Sequence, residues 1–163
     1  MVIKCALFFN IFERTLQFTI GMVISCLLRL FHPPSIDADG FVKTHAALPT
    51  PDVQYFFMHA SYANAAIRKL DSSPGMTMGV TGMRPTSQGS IHIRSADPLA
   101  GPAIRPNFLA TKEDQQVLID GMKIARRIVG RPALSQYIDF EMSPSDAVQT
   151  DAQWLNFARD NGQ

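Results

Sequence analysis

Along the chain, apolar positions group into short runs of two kinds, and the spacing within each run predicts its element. Val53 to His59 (VQYFFMH) places its aromatics consecutively, so both faces of an extended segment would be covered, as in a central strand. Gly40 to Thr44 reads as a shorter strand, joined to it by the rigid Leu48-Pro-Thr-Pro-Asp52 connector. Downstream, Met76 to Arg84 and Ser90 to Ser95 flank Pro85-Thr-Ser-Gln-Gly89, a loop closed by glycine, and are predicted to form a hairpin. Ile91 and Ile93 alternate with His92 and Arg94, the period-two pattern of a half-buried strand. Asp97 to Asn107 carries three prolines and a glycine and is expected to be an extended loop.

Helical spacing is clearest after Thr111. Thr111 is a predicted N-cap with acids in the first turn, Val117, Leu118, Gly121, Ile124, Ala125 and Ile128 form one apolar stripe, and Gly130 and Pro132 stop the helix. A last helix is expected from Thr150, with Gln153 completing its capping box and Trp154, Leu155 and Phe157 buried. At the other end, Thr15 to Leu28 is apolar but bounded by Glu13-Arg14 and Arg29, and is shorter than the roughly 20 residues of a membrane span. Glu13 and Arg14 also argue against a signal peptide. The reading is a helix that packs against protein, with a membrane-surface helix as the alternative. Residues 1–34 are thus set apart as an apolar helical segment, ended by Pro33 and Pro34, from a domain over 35–163.

Composition narrows the function classes. The 163 residues carry 15 basic and 14 acidic side chains, a net charge of +1, so no electrostatic case exists for nucleic acid or an anionic membrane surface as partner. Cys5 and Cys26 lack the spacing of a disulfide framework or zinc site, and a reduced, cytoplasmic protein is expected. Gly75, Gly79 and Gly82 do not match GxGxxG and are followed by Arg84-Pro85 rather than a helix, so they read as strand glycines rather than a phosphate cradle. His32, His45, His59 and His92 stand on separate elements and never at ligand spacing, and the acid pairs Asp37/Asp39 and Glu113/Asp114 suit turn and capping roles. No metal site and no catalytic acid pair is read from the sequence.

A longer ordered pattern points further. Arg84-Pro-Thr-Ser-Gln-Gly-Ser-Ile-His-Ile-Arg-Ser-Ala-Asp-Pro98, Pro102-Ala-Ile-Arg-Pro-Asn-Phe-Leu109 and Gly121-Met-Lys-Ile-Ala-Arg-Arg-Ile128 follow one another. They resemble, in order, the RPxSxGxVxLxSxDP, PxIxPNYL and GxxxARxI segments of the glucose-methanol-choline (GMC) oxidoreductase family's carboxy-terminal region. Gly40-Phe-Val, Leu48 to Gln54 and Pro132-Ala-Leu134 also fit, so the resemblance spans about residues 35 to 163.

It implies an α+β fold, an antiparallel sheet packed against helices, that forms part of the substrate-binding domain and lacks the FAD-binding Rossmann domain. It implies oxidation of an alcohol, choline-like or aliphatic, with FAD as cofactor of the complete enzyme and none expected on this chain alone. No catalytic residue is assigned, because the family's histidine, in HPxGTCxMG, is expected beyond Gln163. Pocket positions implied by the resemblance are Phe56, where many choline-oxidising members carry histidine, its strand neighbour Met58, and Tyr62; ordinary core is the competing role for Phe56. The expected partners are a small alcohol and a complementary FAD-binding chain. The rival functional readings are a truncated gene product, a split-enzyme subunit and a non-catalytic interaction protein.

Overall fold

The computed structural model describes residues 2–4, 38–64, 69–72 and 74–162. The apolar Thr15 to Leu28 segment lies outside them. The expected α+β class is what forms: antiparallel strands with helices packed on one side. Five strands make the main sheet in the order β2-β3-β6-β1-β9, where β1 is Val2–Lys4, β2 Ala38–Val42, β3 Val53–Met58, β6 Gly75–Gly82 and β9 Phe140–Ser143. Each neighbouring pair is antiparallel. Two smaller pairs stand apart, β4 (Tyr62–Asn64) with β5 (Lys69–Leu70) and β7 (Ser90–His92) with β8 (Ala103–Arg105). The helices are α1 (Lys112–Val129), the short α2 (Pro132–Ser135) and α3 (Asp151–Asn161).

β3 is an interior strand, as its aromatic run predicts. Its two faces are not equivalent, however: Val53 and Tyr55 are buried against α1, whereas Gln54, Phe56 and Met58 are half-buried on the other face. The connection from β2 is closed by Asp52, whose carboxylate accepts from the Thr44 amide at 2.8 Å and the Thr44 hydroxyl at 2.6 Å. α1 lies close to the sheet because position 121 has no side chain. A Cβ there would sit 2.9 Å from Val80 Cγ1 and 3.2 Å from both methyls of Val53. That proximity lets the Tyr55 hydroxyl donate to the Gly121 carbonyl at 2.9 Å, and burial pushes the phenol pKa up to about 12, with the nearby Asp52 charge adding to the rise.

The predicted caps form. Thr111 accepts from the Asp114 amide, and Thr150 with Gln153 makes a full capping box. The predicted stripe of α1 is incomplete, because Ile119, Met122 and Val129 are also buried. The cause is a second packing partner: Ile119 and Met122 meet Trp154 and Ala158 of α3 in a separate cluster, while Ala125 and Val129 join Val53, Tyr55 and Met78. One helix therefore carries two cores.

The expected hairpin of β6 with the Ser90–Ser95 segment does not form. β6 pairs with β3 along Thr77–Gly82, and on its other edge β1 pairs with Gly75–Thr77. The intervening loop is drawn instead to the start of α1, where the amides of Thr86 and Ser87 donate to the Asp114 carboxylate at 2.7 and 2.8 Å. β7 pairs with β8, inside the stretch expected to be a loop, with Pro102 and Pro106 just outside the three paired residues. Ile91 and Ile93, expected to be half-buried, are 69% and 90% exposed.

Candidate functional site

The half-buried face of the main sheet, opposite α1, is where the residues singled out from the sequence fall. Antiparallel register puts Asp39 and Phe41 of β2 across from Phe56 and Gln54, and Gly79 and Thr81 of β6 on their other side. Directly paired residues project to the same face. Phe56 lies over Gly79, whose missing side chain leaves the ring in ordinary contact: a Cβ at 79 would meet the Phe56 Cβ and Cδ2 at 3.7 Å. Met58 is paired with Thr77, whose hydroxyl donates to the Ala60 carbonyl at 2.7 Å. Phe41 is 52% exposed. This face thus offers an apolar strip of Phe41, Phe56 and Met58 edged by Asp39, Gln54 and two threonines, with no described helix covering it.

Phe56 and Met58 share that strip, while Tyr62 stands beyond a turn on β4, half-buried and paired with Leu70. Near the turn is an open cavity of about 240 Å³ lined by His59, Ala60, Ser61, Leu70, Asp71, Ser72, Pro74 and Gly75. Neither Phe56, Met58 nor Tyr62 lines it. Ser61, which the sequence reading did not single out, is 3% exposed, and among the described residues its buried hydroxyl has no hydrogen-bond partner. Serine at a strand end has no sequence signal for that state. His45, His59 and His92 are exposed, and among the described residues no three metal-binding side chains converge.

The described residues do not fit a dinucleotide. The glycine-bearing segment β6 is a strand paired with β3 along Thr77–Gly82 and with β1 at Gly75–Thr77, not a loop opening a helix. The amino terminus of α1, where a pyrophosphate would be favoured, is capped by Thr111, and the Asp114 carboxylate in its first turn accepts from the Thr86 and Ser87 amides. Hydrogen bonds from Ser87 and Thr86 hold that carboxyl well below the usual carboxylate range. The start of α3 is closed by its capping box and Asp151.

A second polar centre is structural. Arg126 of α1 grips Glu141 of β9 through two bonds of 2.8 and 2.7 Å, donates to the carbonyls of Val148 and Ser145, and stacks its guanidinium 4.2 Å from the Trp154 ring. Four hydrogen bonds from one side chain thus tie α1 to β9 and to the Ser145–Val148 segment that leads into α3.

The described residues thus form an open-faced antiparallel sheet backed by one long helix. The family is that of the GMC oxidoreductases, to which the chain belongs over residues 85–163, where the GMC oxidoreductase family model matches. The chain is similar to the oxygen-dependent choline dehydrogenases of Citrobacter koseri, 35% identical over 127 residues, and of Pseudomonas aeruginosa strain LESB58, 33% identical over the same length. These alignments take in 78% of the chain but 23% and 22% of those proteins, so the chain spans less than a quarter of the curated relatives it matches. Among solved structures, the crystal structure of pyridoxine 4-oxidase from Mesorbium loti superposes with a TM-score of 0.63, at 18% identity, over 73% of the chain and 24% of that protein. GMC enzymes are FAD-dependent oxidoreductases.

Proposed function

We propose that this chain supplies part of the substrate-binding domain of an FAD-dependent GMC oxidoreductase that acts on the CH–OH group of a choline-like or aliphatic alcohol, and that it is inactive by itself. The observation that carries this reading is the open sheet face bearing Phe41, Phe56 and Met58, in a chain whose residues 85–163 belong to that family. In such an enzyme the bound flavin accepts the hydride. The contribution of this chain would be a largely apolar wall against which the alcohol's carbon skeleton packs, with Phe56 central and Met58 beside it. The choline dehydrogenases to which it is similar support the choline-like end of the substrate range. Phe56 favours the aliphatic end, because an uncharged, non-titrating ring stands there.

The test is reconstitution. The purified 163-residue chain should show no visible flavin absorbance and no alcohol-dependent dye reduction. Coexpression with the flavin-binding remainder of the Citrobacter koseri enzyme should restore dye reduction, and Phe56→Asp should depress it by raising KM. A purified chain that carries stoichiometric flavin, or oxidises an alcohol unaided, would overturn the proposal.

A further inference from the structure

The ribbon of β7 and β8 is firmly rooted and poorly covered, and the two properties together call for a partner. At its base, Ser87 Oγ accepts from the amides of Ala110 and Thr111, Asn107 Nδ2 donates to the Gln88 carbonyl, and Gln115 Nε2 donates to the Leu109 carbonyl at 2.8 Å. The return into α1 uses left-handed backbone at Asn107 and Leu109, with φ of 56° and 55°. For leucine that conformation is strained and persists only where the surroundings over-determine it. Gly89 completes the root, since a Cβ there would come within 2.3 Å of the Arg105 carbonyl oxygen.

Above this root, β7 and β8 pack on each other and on no other described strand or helix. Ile91 and Ile104 are direct cross-strand partners, so they share a face, and both are more than half exposed. Ile93, Leu99 and Phe108 add 90%, 91% and 78% exposed side chains within the same 18-residue arm. The opposite face carries Ser90 and Arg105, paired, and His92. A two-stranded ribbon of this length is at best marginally stable in water, and an apolar cluster of this density marks a contact surface.

We propose that the Ile91/Ile104 face of this ribbon docks onto the flavin-binding body of a GMC oxidoreductase, the part of the relatives that this chain does not span. The inference rests on the functional reading above. The relatives are more than four times as long as the segment matched, so a large body is available to cover the ribbon. A second copy of this chain is the weaker occupant. Five side chains present a patch on the order of a few hundred Å², short of the roughly 800 Å² per partner that a stable dimer buries. As one finger of a more extensive interface, the same patch is sufficient.

The test uses the full chain, tagged and coexpressed with the flavin-binding remainder of the Citrobacter koseri choline dehydrogenase. The wild-type chain should retain flavoprotein on the affinity resin, and Ile91→Asp with Ile104→Asp should lower the retained flavin at least tenfold while the thermal midpoint of the chain alone holds. Ile93→Ser, outside the paired residues, gives the same reading if the double variant fails to fold. Retention unchanged in both variants overturns the docking face and leaves the functional reading intact. No retention by the wild type overturns both. A wild-type dimer that the substitutions convert to monomer assigns the face to a second copy and also overturns the proposal.

Discussion

At the scale of single residues, small size and hydrogen bonding decide more here than apolar bulk. Gly121 is the clearest case, because the methyl of alanine would press into Val80 and Val53, both held between sheet and helix. Gly121→Ala should therefore cost about 1–3 kcal/mol, despite alanine's better helix propensity, and lower the urea midpoint without changing the slope. Tyr55 titrates far above an ordinary phenol, so the folded chain keeps its proton where the unfolded chain has lost it. Its contribution is whole below about pH 10 and declines as pH rises toward 12, and Tyr55→Phe should flatten alkaline unfolding in that window. Asp114 works in the opposite sense. Its carboxyl is held low by Ser87 and Thr86, so its contribution is present at neutral pH and falls as the solution is acidified below the usual carboxylate range. Thermal midpoints measured from neutral to acid pH should fall less steeply for Asp114→Asn than for the parent.

Among elements, what could be read from the sequence follows how local its cause is. The caps at Thr111 and Thr150 depend on side chains three residues away, and both form as predicted. β3 and the stripe of α1 depend on periodicity and were likewise legible. The pairing of Ser90–His92 was not, because the loop after β6 is held to the start of α1 through Asp114, a side chain far along the sequence from Thr86 and Ser87. The second face of α1 was hidden for a similar reason: Ile119 and Met122 acquire a role only once α3 docks. Phe56 and Met58 could be placed on one face from their spacing, whereas the unpartnered Ser61 hydroxyl had no sequence signature. Trp154 is the center of the α1–α3 contact at 2% exposure, edge-on to Phe157. Trp154→Ala should cost about 3–5 kcal/mol, read as a lower denaturant midpoint.

For the molecule as a whole, the sheet face with Phe56 and the rooted ribbon are the two surfaces that the proposed assembly would use, and the two clusters flanking α1 hold the described residues together. Those clusters meet along a single helix. Arg126 is the polar link among α1, β9, the Ser145–Val148 segment and the Trp154 ring. Replacing Glu141 with alanine would remove two of the four hydrogen bonds of that guanidinium, at a cost of about 1–3 kcal/mol. The arrangement resembles a hinged book whose back board is fastened by one rivet. With the rivet cut, amide hydrogens of residues 151–161 should exchange ahead of those in residues 53–58 and 75–82, splitting one cooperative opening into two.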